Sequence, residues 1–380
     1  MPTWLVFFLV LSVLVMVHEL GHFLMAKLLK IKVEEIAFGL PFTPPILKFR
    51  RGETQYSIYP LLFGGFVRLY GEESEPEKGN ISGKDKSRAF WYRGKKQRLL
   101  VIIAGVVMNV ILALGVFGVL YSRLGIPEKS RDKVTVVEVT PNSPAEKAGV
   151  VFGDRVIAVE GQEVSTIEDF SRLMKSWAGL SVNVVIERGE TTALLEGLVE
   201  AGTATKKIAL VPRKNPPSGE GAAGVVISVF PYVETRKCPM VNWECIRVTV
   251  RQGFSSTSLW VGRVFSGFRD IGKSLIAGKA PEGVAGPVGI YQLTGLVAGE
   301  GFWPLLELVA VLSVNLAVFN VLPFPALDGG RLFFIGLEWL WRKRLPAGLE
   351  QKVNTWGMII LLTLMALVSF QDVIRLGWFK

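Results

Sequence analysis

Two histidines that flank a glutamate at helical spacing are the residues of this sequence whose types predict chemistry most directly. The motif runs from His18 to His22 and reads H-E-x-x-H. On a helix, residues at positions i and i+4 project from one face, so both imidazoles can reach one Zn²⁺ at about 2.0–2.1 Å. Glu19 can then act as general base on a water at the metal instead of serving as a ligand. The motif predicts a hydrolytic zinc site.

The surroundings of this motif favour a functional interpretation over a structural one. The chain has only two histidines, and both lie here. The residues from Trp4 to Met16 are almost all apolar, and the apolar run continues from Phe23 to Ala26. A single histidine is usually a hydrogen-bonded core residue, whereas ionisable groups clustered in a membrane span indicate a functional site.

A catalytic zinc usually takes three protein ligands, and the third must be a carboxylate or a cysteine because no third histidine exists. Asp328 is the best candidate, since it follows a segment in which Pro323 and Pro325 break an apolar helix. Glu307 and Asp372 are the alternative acidic residues in apolar stretches. Each is equally well interpreted as an ordinary residue near the membrane surface.

The composition indicates a membrane protein that also carries a folded domain outside the bilayer. Of its 380 residues 50% are hydrophobic and 20% are charged, with a net charge of +10. Segment Lys27–Arg98 has 15 Lys and Arg against 8 Asp and Glu, whereas Ser122–Trp303 has 21 against 19. Positive charge marks cytoplasmic loops, so Lys27–Arg98 and Arg331–Lys352 are predicted inside, with both termini outside. No nucleic-acid motif is present, and no nucleic-acid partner is expected.

The predicted fold is a polytopic α-helical membrane protein of four spans, with a re-entrant β-hairpin region and an inserted α+β domain. The first span has no cleavage site and is expected to be retained. The predicted segments are the first span with H-E-x-x-H (1–30), a cytoplasmic or re-entrant hairpin region and loop (31–98), the second span (99–121), the α+β domain (122–212), a linker, strand and amphipathic helix (213–302), the third span (303–330), a cytoplasmic amphipathic helix (331–355), and the fourth span with the C-terminus (356–380).

A β-hairpin is predicted where Ile46–Phe49 and Thr54–Tyr59 flank the Arg51-Gly52 pair. Non-helical backbone beside a membrane must be shielded by protein or line a cavity. One interpretation is a re-entrant hairpin near the zinc that offers an edge strand to substrate. The other is a plain cytoplasmic hairpin. The first interpretation makes four consecutive residues substrate-binding: Gln55, Tyr56, Ser57 and Ile58.

The 122–212 segment resembles a PDZ domain. The resemblance rests on the S-P-A, A-G-V, G-D-R-V and V-E-G-Q runs between Ser143 and Gln162. PDZ domains bind peptides by strand addition or by capture of a terminal carboxylate, so a peptide ligand is one expectation and a steric filter is the other. Cys238 and Cys245 could pair on an oxidising side or be two ordinary cysteines. The helical pattern in Val241–Ile276 is amphipathic and predicts a helix along the membrane surface.

The H-E-L-G-H run in the first span and N-V-L-P-F-P-A-L-D-G-G from Asn320 to Gly330 together resemble the site-2 protease family of intramembrane zinc metalloproteases. The single PDZ, G-G-F-V-R-L after the hairpin and G-P-V-G-I before the third span resemble the bacterial RseP type, the regulator-of-sigma-E protease. This resemblance implies His18, His22 and Asp328 as zinc ligands, Glu19 as base, and Asn320 as a residue that helps hold the substrate or the reacting carbonyl.

The resemblance also implies a function and a location. The expected activity is hydrolysis of a peptide bond in the transmembrane segment of a membrane protein, as in regulated intramembrane proteolysis of an anti-sigma factor or of remnant signal peptides. The expected location is the bacterial inner membrane, in contact with lipid, with the PDZ and termini outside and the active site near the cytoplasmic side. Two departures from the family pattern are the single PDZ and the sequence Ala104-Gly105-Val106, where the family often has Gly-Pro; Asn109 matches.

Two other functions compete with proteolysis. The first is a catalytically silent membrane scaffold that carries a PDZ domain, which the presence of every expected catalytic residue argues against. The second is a zinc transporter, which would need several metal ligands along a pore, whereas the chain has two histidines.

Overall fold

The structure, a computed structural model, describes residues 2–61, 64–72, 86–194, 197–217, 220–237, 243–277 and 286–375. Its helices are α1 (Thr3–Leu28), α2 (Lys95–Leu124), α3 (Pro144–Lys147), α4 (Ile167–Ser176), α5 (Trp243–Ile276), α6 (Pro287–Glu300), α7 (Phe302–Phe319), α8 (Asp328–Trp341) and α9 (Ala347–Arg375). Its strands are β1 (Val33–Phe38), β2 (Leu47–Arg51), β3 (Thr54–Ile58), β4 (Gly65–Leu69), β5 (Ile126–Val139), β6 (Arg155–Val159), β7 (Gln162–Glu163), β8 (Val182–Leu194), β9 (Gly197–Leu210) and β10 (Val225–Arg236).

Four helices in the described ranges are long and apolar enough to cross a membrane. They are α1, α2, α7 and most of α9. A helix needs about 20 apolar residues to span the hydrocarbon core, and lengths of 18 to 30 residues meet that requirement. The chain is therefore a membrane protein with β-rich regions between its apolar helices.

The chain divides into two compact units, and the first contains residues 1–118 and 250–380. It holds a four-stranded sheet in the order β2-β3-β1-β4. Strands β2 and β3 form an antiparallel hairpin in which Arg51 pairs with Thr54, and Gly52 turns the chain with φ 64°. This hairpin is the one that the sequence predicts. Strand β1 pairs with β3 in parallel and with β4 in antiparallel direction.

This strand order corrects one expectation. Strand β3 is interior, because Gln55–Ile58 pair with β1 on one side and with β2 on the other. Its backbone therefore offers no free edge to a substrate, and the free edges of the described sheet are β2 and β4. If these four residues bind substrate, they must do so through their side chains, and this role stays a prediction.

A buried apolar cluster joins the sheet to the apolar helices. Its residues come from the end of α1, from the first and last strands of the sheet and the chain next to them, and from α2 and α8. They are Ala26, Ile31, Val33, Leu69, Phe90, Val101, Ile102 and Ile335. Because this cluster fixes β4 against α1, it also fixes the edge of the sheet beside the H-E-x-x-H turn.

The second unit comprises Val119–Thr249 and contains a six-stranded sheet in the order β5-β10-β9-β8-β6-β7. Helix α4 packs on this sheet through Phe170, Leu173 and Met174. The sequence interpretation ends this domain at residue 212, but β10 pairs with β5 along its whole length, from Val225–Val139 to Arg236–Ile126. The strand that was expected to follow the domain is therefore part of its sheet.

Helix α5 contacts two of the apolar helices, and its expected position along the membrane surface stays a prediction. Its Gly253 lies close to the backbone of α2 at Leu114, and its Phe268 ring contacts the ring of Phe319 at the end of α7, with 5.0 Å between centroids. Two points of α5 therefore contact apolar helices, while several of its large apolar side chains are exposed. Cys245, near its start, is disulfide-bonded, whereas Cys238 lies outside the described residues.

Candidate metal centre

Three side chains converge from two distant parts of the chain. The Nε2 atom of His18 lies 2.9 Å from Oδ2 of Asp328, and Nε2 of His22 lies 3.0 Å from the same oxygen and 3.0 Å from Nε2 of His18. Ligand atoms of a tetrahedral zinc stand about 3.3 Å apart, so this triangle has nearly the size that zinc requires. Among the described residues, these three form the group of donors suited to one metal ion.

The elements that carry the three donors explain why the sequence brings them together. His18 and His22 stand one turn apart on α1, so their rings share a face. Asp328 is the first residue of α8, which starts after the proline-broken turn. A Cβ at Gly329 would lie 1.8 Å from the carbonyl oxygen of Leu322, and one at Gly330 2.7 Å from that of Phe324. The two glycines let the start of α8 fold back onto that turn.

Helix α2 closes the site from another side, and it can do so because two glycines allow close approach. A Cβ at Gly21 would lie 2.3 Å from the carbonyl oxygen of Ala104. A Cβ at Gly105 would lie 2.5 Å from Nε2 of His22 and 2.7 Å from Cε1 of His18. The imidazoles therefore occupy the space that any larger residue at position 105 would take.

Both histidines are oriented through their second ring nitrogen. The Nδ1–H of His22 donates to the carbonyl oxygen of Val101 at 2.9 Å, which leaves Nε2 free to bind a metal. The Nδ1 of His18 lies 3.3 Å from the side-chain amide of Asn109, whose Oδ1 is buried without a hydrogen-bond partner in the described structure. An amide turned by 180° places that oxygen to accept from His18 Nδ1–H and satisfies both groups. The donor set therefore fits zinc, with neutral imidazoles presenting Nε2.

This arrangement predicts that Asn109 sets the tautomer of His18. We expect Asn109→Leu to weaken zinc binding about 10- to 100-fold, because loss of a partner that orients a ligand typically costs that much. Asn109→Asp keeps an acceptor at the same place and should bind within a few-fold of wild type. Competition with a chelator measures both affinities, and equal zinc affinity in Asn109→Leu and wild type would contradict the assignment.

Glu19 points into the same space without joining the triangle. Its Oε2 accepts a hydrogen bond of 2.9 Å from the backbone N–H of Val67 in β4. Glu19, His22 and Asp328 line one cavity of about 130 Å³ together with Val67. A carboxylate held beside the metal ligands by a backbone donor is suited to proton transfer.

The remaining residues of the predicted site are not members of this triangle. Asn320 is buried and ends α7. Gln55 and Ser57 donate to the buried carboxylate of Glu35 at 3.1 and 2.5 Å. The ring of Tyr56 stacks on Phe49 at 5.0 Å and lies 6.3 Å from the ring of Phe23 on α1, while Ile58 is exposed.

The two alternative carboxylates lie elsewhere. Asp372 accepts hydrogen bonds of 2.9 Å from the backbone N–H groups of Gly286 and Gly289, at the start of α6. Glu307 is buried within α7. Within the part of the chain that the structure describes, neither belongs to the metal-ligating group.

Sequence reasoning missed three participants: Gly105, the carbonyl of Val101 and the N–H of Val67. Val101 and Val67 act through backbone atoms, which carry no signal in residue type. Gly105 carries a weak signal, since a glycine within an apolar helix favours close approach of another group.

Comparison with known proteins places this chain beside metalloproteases. The model of peptidase family M50 matches residues 6–364. A protein of Clostridium perfringens named "Putative zinc metalloprotease" is 36% identical over 368 residues, which cover 96% of this chain and 97% of that protein. A Clostridium acetobutylicum protein with the same description is 34% identical over 367 residues, covering 96% of each chain. The zinc metalloprotease RasP of Geobacillus kaustophilus is 28% identical over 438 residues, covering 97% of this chain and 96% of its own.

Proposed function

The chain belongs to peptidase family M50, and from this membership we propose that it hydrolyses a peptide bond within the transmembrane segment of a membrane protein. It is a zinc metalloprotease. The observation that supports the finer statement is the convergence of His18, His22 and Asp328 beside Glu19, with both histidines on a helix of membrane-spanning length. A hydrolytic centre built on such a helix acts on a substrate bond that lies at the same depth in the membrane.

Each protein group of the centre has one task in this proposal. His18, His22 and Asp328 would hold the zinc. When bound, zinc would act as a Lewis acid that lowers the pKa of water and polarises the scissile carbonyl. Glu19 takes the proton of the attacking water and later returns it to the leaving amine. The N–H of Val67 keeps the carboxylate aimed at the pocket. Asn320 contributes to holding the substrate.

A helical substrate hides its carbonyls, so it must unwind before cleavage. We propose that the free edge of β4 receives the extended segment, because this edge lines the cavity that contains Glu19 and His22. Alternate residues of β4 point their N–H groups out of the sheet: Val67 donates to Glu19, and Leu69 donates to Glu72. A substrate strand that adds to this edge leaves these two donors with Glu19 and Glu72 and pairs with the other outward-facing backbone groups of β4.

We place the protein in the bacterial inner membrane, with the segment between α2 and α5 on the outer side and the metal centre near the cytoplasmic side. The excess of Lys and Arg in Lys27–Arg98 supports this topology. The disulfide of Cys245 supports an oxidising outer side for the start of α5. Labelling of cysteines introduced into β7, whose two residues are exposed, should succeed from outside only; labelling from the cytoplasm would reverse the topology.

The second unit fits a PDZ domain that binds a peptide. Strand β10 pairs with β9 only at Tyr232 and Val233 among the described residues, which leaves its first half with a free edge. A cavity of about 450 Å³ lies between that half and α4, with apolar walls from Phe170, Met174 and Val225. An extended peptide can add to this edge and place alternate side chains in the cavity. We propose that this groove selects substrates in regulated intramembrane proteolysis of an anti-sigma factor or of remnant signal peptides.

Metal removal tests the proposed function. We expect purified protein in detergent to hold one zinc per chain, to lose cleavage of a helical transmembrane peptide on chelation, and to regain it with added zinc. An equally long, water-soluble helical peptide is the control and should be cleaved at least about tenfold more slowly. Cleavage that survives complete zinc removal would exclude the mechanism, and equal cleavage of both peptides would exclude the transmembrane substrate class. A protein that holds zinc but cleaves neither peptide would favour the catalytically silent membrane scaffold.

A further inference from the structure

An ion pair connects strand β4 to the helix that carries Asp328. Arg331, one turn after Asp328 on α8, donates through Nη1 to Oε1 of Glu72. The other oxygen of the same carboxylate accepts from the backbone N–H of Leu69 at 3.1 Å. Glu72 therefore holds the end of β4 with one oxygen and the first turn of α8 with the other.

This connection matters because the two elements it joins carry different parts of the reaction. Strand β4 supplies the Val67 N–H that orients Glu19, and α8 supplies Asp328. In the described sheet, β4 pairs with β1 on one side and is free on the other. The orientation of the Glu19 carboxylate toward Asp328 therefore depends in part on what holds that free side of β4.

The pair also stands at the boundary of the metal pocket. The pocket of about 130 Å³ that contains Glu19 and His22 adjoins a second cavity of about 550 Å³, whose far wall includes Glu350 and Asn354 on α9. Glu72, Asp328 and Arg331 are the described residues that line both cavities. Arg331 lines the second cavity together with the carboxylates of Glu72, Asp328 and Glu350. The pair is thus part of the wall around the reacting groups.

We propose that the Glu72–Arg331 pair is a positioning element of the reaction: it fixes β4, and with it the Val67 N–H that orients Glu19, relative to Asp328. The proposal rests on the catalytic role proposed for Glu19. A displacement of about 1 Å at a reacting group can cost about 100-fold in rate. Loss of the pair should therefore reduce turnover while the three metal ligands keep their zinc.

The chain offers a matched control. Arg98 on α2 donates to Glu338 on α8, and this second pair is more deeply buried than the first. Glu338 follows Asp328 by ten residues, which is about 15 Å along a helix axis. It lines neither of the two cavities. Glu338→Gln thus perturbs a buried ion pair of the same helix away from the reacting groups.

The test compares Glu72→Gln, Arg331→Gln, their double variant and Glu338→Gln in the full chain. We expect each of the first two to lower kcat about 10- to 100-fold, with KM within about threefold and one zinc per chain retained. The double variant should fall no further than the worse single variant, because the two residues act as one unit. Glu338→Gln should lower Tm at least as much and keep kcat within about twofold. Arg331→Lys keeps the cation and should recover part of kcat.

Hydrogen exchange supplies a readout that does not depend on activity. The amide of Val67 should exchange faster in Glu72→Gln and in Arg331→Gln, and at the wild-type rate in Glu338→Gln. Any of four results would overturn the proposal. Two concern Glu72→Gln: wild-type kcat and exchange, or loss of its zinc. The other two are additive effects in the double variant and a kcat that follows Tm in all variants. A wild type no more active than Glu19→Gln would instead refute the proteolytic function, and exchange at Val67 would then decide the role of the pair.

Discussion

Replacing Glu19 with Gln should abolish cleavage and leave the zinc content at one per chain. The amide keeps the size of the carboxylate and can still accept from the Val67 N–H, but it takes up no proton from water. General base catalysis typically contributes about 10²- to 10⁴-fold, so kcat should fall by at least about 100-fold while KM changes little. Single-turnover cleavage of a transmembrane peptide and metal analysis of the same sample measure both quantities.

Glu307→Gln is the control for this substitution. Glu307 is also buried, and it lies on α7, a second helix of membrane-spanning length, yet it is not part of the metal-ligating group. We expect this variant to keep cleavage within about threefold of wild type. If Glu19→Gln cleaves at the wild-type rate, Glu19 is not the base; if both variants lose activity equally, the loss reflects general disturbance of the buried helices.

The two histidines and Asp328 could be predicted from the sequence because each carries a local signal. His18 and His22 stand at a spacing that one helix turn places on a single face, and Asp328 follows a proline break at the end of an apolar run. The structure brings these three side chains to within hydrogen-bonding distance of one another, at 2.9–3.0 Å. Local sequence signals were enough here, because the three candidate donors lie on one face of a helix and at a helix start.

The strand next to the base could not be predicted in the same way. The hairpin of β2 and β3 follows from Gly52 and the two flanking runs, but strand order depends on which distant segments pair. Strand β1 joins β3 in parallel and so covers the edge that the hairpin would have presented. The free edge beside Glu19 is therefore that of β4, which begins at Gly65, after the hairpin.

Long-range packing also decided the extent of the second unit and the position of α5. A linker rich in proline and glycine separates β9 from β10, and on sequence such a linker resembles a domain boundary. The hydrogen bonds of β10 with β5 join strands about ninety residues apart in sequence. The apolar residues of α5 fit a membrane surface or a bundle of helices equally well, and the sequence pattern could not give the contact of Phe268 with Phe319.

Gly105→Ala should eliminate zinc binding, because one added methyl group would collide with both histidines. The new Cβ would lie 2.5 Å from Nε2 of His22 and 2.7 Å from Cε1 of His18, well inside van der Waals contact. Rotation of either imidazole away from it breaks the triangle with Asp328. Alanine favours helix over glycine by about 1 kcal/mol, so α2 itself should stay folded. We expect zinc affinity to fall at least about 100-fold and cleavage to be lost.

Gly115→Ala makes the same chemical change on the same helix, at a position where a Cβ meets nothing within 4 Å. It should keep full zinc content and activity, with a Tm equal to or slightly above that of wild type. The comparison therefore separates the effect of a methyl group on α2 from its effect on the imidazoles. Wild-type zinc affinity in Gly105→Ala would mean that α2 does not lie against the histidines. It would also contradict the prediction that Asn109, on the same helix, orients His18.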